Sequence, residues 1–185
     1  MPNDARRSGD DVELMARLAD GDQSALAQLI QRHQHRVLDI AYRTIGDRVL
    51  AEDIAQEAFL RVWRSAGSYV PSAQFTTWLY RIVVNLCIDA SRKPKALTID
   101  GPAVPHPEMA AVSSGLERSD RIAAVRRAVA RLPRRQRVAL VLHRFSGLSI
   151  RVISDATGWS ESAVESLLVR AYASLRQALT EFTES

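Results

Sequence analysis

Residues 93–115, KPKALTIDGPAVPHPEMAAVSSG, carry four of the chain's seven prolines, and on either side of them the apolar residues recur at helical spacing. Each proline removes a backbone donor and clashes with the preceding turn, so no helix runs through this stretch. Neither flank shows the strict two-residue alternation of a half-buried strand. The expected fold is therefore all-α: two small helical domains, residues 1–92 and 116–185, joined by a flexible proline-rich linker over residues 93–115. At 185 residues and 46% hydrophobic composition, two such domains can each bury a core.

In the first domain, Asp10 and Asp11 are expected to cap a helix ending near Asp20, and Asp22 to cap a second one ending near Ile45, where Gly46-Asp47 breaks the pattern. A third helix is expected over about residues 50–65. Ala55, Phe59, Val62, Trp63 and Ala66 form its core stripe, with Phe59 and Trp63 read as buried. After the loop GSYVPSAQF, a fourth helix is expected over about residues 76–91, packing through Trp78, Leu79, Ile82, Val83 and Leu86. Arg81, Asn85, Asp89 and Arg92 recur at four, four and three residues, so they share a second, polar face.

In the second domain, a helix over about residues 116–131 ends at Leu132-Pro133, and the next one ends at Ser146-Gly147. Ser149 then caps a short helix to about Thr157, Gly158-Trp159 makes a tight turn, and Ser160 caps a long final helix. Two helices joined by a short glycine-containing turn make a helix-turn-helix. Along the last helix Val164, Leu168, Ala171 and Leu175 form the buried stripe. Ser162, Glu165 and Ser166 then face outward, with Leu167 at the margin.

Charge separates the two halves. Up to Arg92, eleven arginines face twelve acids; residues 93–115 balance; from Leu116 onward twelve arginines face seven acids, a local net of +5. Seven arginines and no acid lie between Arg126 and Arg144, with PRRQR at the centre. Phosphate binding releases a counterion for each charge neutralised, so a one-signed run of this kind suits contact with a DNA backbone through Arg134, Arg135 and Arg137, the alternative being a docking surface for an acidic polymerase or inhibitor segment. Arg151 and Arg170 are further candidates for backbone contact.

The chain contains no glycine-rich phosphate loop and no nucleophile with a placed base, so no catalytic residues are expected and the protein is not expected to be an enzyme. His33 and His35, two residues apart, point in widely different directions on a helix, which leaves no shared face for a metal. No cofactor is expected. The lone Cys87 sits in an apolar run and fits a reducing, cytoplasmic setting. No window approaches the roughly 20 apolar residues of a membrane span, so no membrane insertion is expected.

Three segments carry a family resemblance. AEDIAQEAFLRVW (residues 51–63), FTTWLYRIVVNLCIDASRK (75–93) and LPRRQRVALVLHRFSGLS (132–149) are similar, in this order and spacing, to signatures of bacterial sigma factors, above all the short two-domain extracytoplasmic-function kind. The resemblance implies a subunit that joins RNA polymerase core, directs it to the minus 35 and minus 10 elements of promoter DNA and helps to open the duplex, with an anti-sigma factor as its regulator. On that resemblance Asp53, Gln56 and Glu57 dock on the clamp helices of the polymerase. The loop after the third helix captures a flipped minus 10 base, and Tyr69, Phe75, Trp78, Arg81, Asn85 and Arg92 contact minus 10 DNA. Arg134, Arg135, Arg137, Arg151, Ser162, Glu165, Ser166, Leu167 and Arg170 are expected at the minus 35 element. Here the chain departs from the family: Glu165 and Leu167 stand where basic residues are common, and Tyr172 where an arginine is frequent. Serine can still bond base edges, glutamate can accept from a cytosine amino group and leucine can pack on a thymine methyl. The residues by themselves also allow a helix-turn-helix regulator that binds duplex DNA without polymerase, or a helical adaptor that binds only proteins.

Overall fold

The computed structural model describes residues 3–72, 74–90 and 115–183, and among them every regular element is helical. The first module comprises α1 (Asn3–Ala19), α2 (Gln23–Ile45), α3 (Arg48–Arg64), a single 3-10 turn (Ala66–Ser68) and α4 (Phe75–Ala90). The second comprises α5 (Gly115–Arg131), α6 (Arg134–Leu140) with a π-helical turn (Val141–Phe145), α7 (Ile150–Thr157) and α8 (Glu161–Thr183). Of the expected linker, residues 93–115, all but Gly115 lie outside the described residues, and Gly115 is the first residue of α5.

Most helix boundaries follow from capping chemistry. The Asp22 carboxylate accepts from Ser24 N, and Gly46 closes α2 in the left-handed region at φ +83°. The bond to Ser24, then the Arg17 guanidinium at 2.6 Å, lower the Asp22 pKa to about 2. Asp47 caps α3 through Leu50 N, Ser149 caps α7 through Val152 N, and Ser160 Oγ accepts from Ala163 N at the start of α8. The first helix differs from expectation. α1 begins at Asn3 and runs straight through Asp10 and Asp11. Asp11 is 1% exposed, which a capping residue at a solvated helix start would not be.

The core of the first module takes Leu14, Met15 and Leu18 from α1, Leu29, Val37 and Ile40 from α2, Ile54, Phe59 and Val62 from α3, and Phe75, Leu79 and Val83 from α4. Each large aliphatic or aromatic side chain so enclosed contributes about 1.5–3 kcal/mol of transfer free energy. Trp63 is a correction: it is 50% exposed, while Ala51, Ile54 and Ala58 supply the buried stripe of α3 with Phe59 and Val62.

This core does not stop at the module boundary. Val138, Ala139, Val141, Leu142, Ile153, Val164 and Leu168 belong to the same apolar cluster, and α4 packs against α7. Three arginines reinforce the junction. Arg36 Nη2 donates to Ser146 O at 2.8 Å, Arg134 Nη1 to Ile88 O at 3.0 Å and Arg137 Nη1 to Thr44 O at 3.0 Å. Thr44 and Ile88 lie in the last turns of α2 and α4, where carbonyls have no intrahelical donor, so the guanidinium groups act as C-terminal caps across the junction. The π turn takes part as well: it ends on Phe145 and Ser146, and the Arg43 guanidinium lies 4.3 Å from the Phe145 ring centre.

Candidate polymerase and promoter surfaces

On α3, Val49, Asp53, Gln56, Leu60 and Trp63 are all exposed and follow one another at four, three, four and three residues. They form one helix face. Val49 is 69% and Leu60 42% exposed, so two acid or amide groups are framed by three apolar ones. Glu57 flanks this face and is already engaged, its Oε1 accepting from Arg61 Nε at 3.0 Å with Arg64 at 3.9 Å. The sequence pattern singled out Asp53, Gln56 and Glu57 and assigned Trp63 to the core, because its spacing from Phe59 also fits a core stripe. Continuing the Asp53 and Gln56 spacing to Leu60 and Trp63 would have revealed the face.

The loop before α4 is built on aromatic contacts. Tyr69 lies 4.9 Å from Trp78 between ring centres and edge-on to Phe75 at 6.2 Å, and Phe75 is 5.8 Å from Trp78. Phe75 is fully buried, so the expectation that it contacts DNA is corrected: it is the floor on which Tyr69 and the half-buried Trp78 rest. The Tyr69 hydroxyl is enclosed with no hydrogen-bond partner among the described residues, and burial, then the Asp11 carboxylate, raise its pKa. At the loop tip Val70 is 73% exposed, an apolar group that sequence reasoning did not single out. Trp78, Arg81, Asn85 and Asp89 descend α4 in one file, the last three exposed. Arg92 lies outside the described residues.

In the second module, a groove of about 560 Å³ runs between the start of α6 and the outer face of α8. Arg134, Arg135, Ser162, Ser166, Leu167 and Arg170 line it, which brings together six of the nine residues expected at the minus 35 element. Glu165 and Arg151 are exposed on α8 and α7 but do not line the groove. The Gly158 turn is fixed by Ser154 Oγ donating to Trp159 O at 2.6 Å, and the Trp159 ring in turn holds the Arg135 guanidinium 4.7 Å from its centre. Arg137 departs from expectation. Besides Thr44 O, it donates to Leu132 O at 3.1 Å and to Ala130 O, so it caps α5 as well as α2. Burial, then neighbouring Arg134, lower its pKa. A phosphate can reach Arg137 only by displacing these carbonyls.

Among the described residues no group of three or more His, Cys, Asp or Glu side chains could hold a metal, and no helix is long and apolar enough to cross a membrane.

Residues 29–96 match the family model for sigma-70 region 2, and residues 122–175 that for sigma-70 region 4. The chain is 37% identical over 177 residues to the ECF RNA polymerase sigma factor SigM of Mycobacterium tuberculosis (strain H37Rv), covering 94% of this chain and 87% of that protein. It is 33% identical to ECF RNA polymerase sigma factor SigW of Bacillus subtilis (strain 168), over 87% and 92% of the two chains. Among solved structures, CnrH in complex with the cytosolic domain of CnrY matches with a TM-score of 0.70 and 26% identity, over 92% of this chain and 97% of that one. The sigma factor RpoE of Bartonella quintana, solved with the anti-sigma factor NepR, shares the fold at a TM-score of 0.68 and 22% identity, over 83% and 96%.

Proposed function

Because the chain belongs to the extracytoplasmic-function sigma factors of RNA polymerase, we propose how its particular surfaces divide the work of transcription initiation. The α3 face docks on the clamp helices of the core enzyme: Asp53, Gln56 and Glu57 meet basic and amide groups there, while Val49, Leu60 and Trp63 supply the apolar centre. Protein interfaces draw most of their energy from such enclosed aromatic and aliphatic anchors, with charges at the rim setting orientation.

Strand opening without ATP requires binding energy that is realised only on unpaired bases. Flipping a base costs a few kcal/mol, and stacking it on an aromatic ring returns about 1–3 kcal/mol. Tyr69 and Trp78, backed by Phe75, supply the stacking surface, and Arg81, Asn85 and Arg92 hold the neighbouring bases and backbone. Arg134, Arg135 and Arg170 bind minus 35 phosphates along the α6–α8 groove, with Ser162, Ser166 and Leu167 at the base edges. Arg151 contacts backbone from α7. Glu165 accepts from a cytosine amino group or repels phosphate, so it restricts which elements bind. Arg134 and Arg137 become available to DNA when the two modules separate.

We assign the regulator to the anti-sigma class, covering the α3 face, the DNA faces or both, and the place of action to the cytoplasm, where the polymerase works. The observation that carries this reading is the groove that collects six of the nine residues expected at the minus 35 element. The deciding experiment is transcription by purified core polymerase on a pooled promoter library with and without the chain. New start sites downstream of a shared two-box sequence are expected; initiation identical in both arms overturns the reading.

A further inference from the structure

Beneath the base-capture loop lies a polar pair that neither docking nor promoter contact uses. Asp11, midway along α1, is 1% exposed; its carboxylate accepts from Arg32 Nη1 at 3.1 Å, and its second oxygen lies 2.9 Å from His33 Nε2. A buried carboxylate inside a helix is costly, both in desolvation and in helix propensity, unless hydrogen bonds offset the loss. An apolar side chain at this position would avoid that cost.

The other side of the pair shows what is gained. The His33 ring, its side chain 12% exposed, lies 5.3 Å from the Phe75 ring centre with 49° between the planes. Phe75 in turn meets Tyr69 edge-on at 73° and Trp78 at 49°. A continuous line of contacts therefore runs from Asp11 through His33 and Phe75 to the two rings of the stacking surface. α1 also packs against the Ala66–Ser68 turn that delivers Tyr69. Among the described residues the Tyr69 hydroxyl has no hydrogen-bond partner, which leaves its ring contacts to fix its orientation.

We propose that Asp11 and His33 are positioning residues for base capture: their hydrogen bond sets the plane of the His33 ring, which backs Phe75 and thereby fixes the stacking surface formed by Tyr69 and Trp78. Stacking returns its full value only on a surface already ordered, since otherwise part of the binding energy is spent immobilising the rings. The inference rests on the reading of the loop GSYVPSAQF, residues 67–75, as the base-capture loop.

The test uses holoenzyme assembled from core polymerase and the full chain, binding single-stranded oligonucleotides that carry the minus 10 element. Each position of the element is replaced in turn by an abasic site. For the wild type, loss of the captured base is expected to weaken binding about tenfold, the value of one base–aromatic stack. His33→Ala and Asp11→Ala are expected to reduce that ratio to about twofold while core affinity is unchanged. Asp11→Asn, which keeps an acceptor for His33, is expected to restore most of it. Should Asp11→Ala fail to fold, His33→Gln keeps a donor to Asp11 while deleting the ring, and it should lose the ratio as His33→Ala does. A wild-type ratio in His33→Ala or His33→Gln overturns the proposal, as does an equal loss on intact and abasic strands. A wild type that ignores every abasic site refutes the base-capture reading itself.

Discussion

Trp63 and Cys87 sit on adjacent helices of one core and meet opposite fates. Trp63 leaves 50% of its surface in solvent beside Leu60, an exposure that a monomer gains nothing by keeping and that a docking face uses. Trp63→Ala is expected to weaken binding to core polymerase by about tenfold or more, the behaviour of an interface anchor, while thermal stability changes little. Titration of labelled core with the variant measures it, and unchanged affinity removes Trp63 from the interface. Cys87 is fully buried, and burial raises its thiol pKa to about 12. The thiolate is the reactive form, so native protein is expected to resist alkylation at pH 8 and to react at once in denaturant, as mass spectrometry would show. Rapid native labelling would mean that α4 opens locally. Cys87 was legible as a buried hydrophobe from its apolar neighbours. Trp63 was not, because a tryptophan at helical spacing reads the same whether its face meets a core or a partner. Asp11 was illegible for a different reason: its partners Arg32 and His33 lie more than twenty residues away, and a buried ion pair leaves no local signature.

Elements were readable wherever a boundary is set by a side chain bonding its own backbone. Asp22, Asp47, Gly46, Ser149 and Gly158 act within a turn of where they stand, and the sequence pattern located each of them as a cap or break, Asp47 only as part of the break after α2 and not as the cap of α3. Asp11 misled because its carboxylate is engaged by Arg32 and His33 and not by a helix start, and exposed Asp10 stands inside α1, which already begins at Asn3. The π turn at residues 141–145 had no local cue either; it arises where the end of α6 must deliver Phe145 and Ser146 to α2. Gly158 offers a clean measurement at this scale. Its φ is +73°, and a Cβ there would meet nothing within 4 Å, so Gly158→Ala isolates the backbone cost from any clash. The left-handed conformation costs an alanine about 1–2 kcal/mol, which lowers the midpoint of thermal unfolding by roughly 2–8 °C in a chain of this size. A calorimetric shift near zero would show that the turn relaxes out of the left-handed region.

At the scale of the whole molecule, sequence predicts two tethered units, while the structure joins them through one apolar cluster and a set of arginine caps. Composition could not show this junction, because an arginine bound to a carbonyl and one awaiting a phosphate look alike in a sequence. With Arg134 assigned to minus 35 phosphate as proposed, DNA binding and closure would compete, since Arg134 lines the groove and donates to Ile88 O. Arg36 separates the two effects: it reaches Ser146 O from α2 and is not among the residues assigned to a DNA surface. A hydrogen bond from a charged group contributes about 1.5–3 kcal/mol, so Arg36→Ala should shift the closed-to-open ratio by roughly tenfold or more. Apparent affinity scales with the fraction competent to bind; the variant should therefore bind a minus 35 duplex up to about tenfold more tightly than the wild type, in the absence of polymerase. Simple charge loss predicts the reverse sign, because removing a cation weakens attraction to phosphate. Arg48→Ala supplies the control, deleting an equal charge from an exposed pair with Glu52 on α3. Tighter binding for Arg36→Ala but not for Arg48→Ala in fluorescence anisotropy would identify the junction as a brake on promoter binding. Equal weakening in both would leave the arginine caps with a purely structural role.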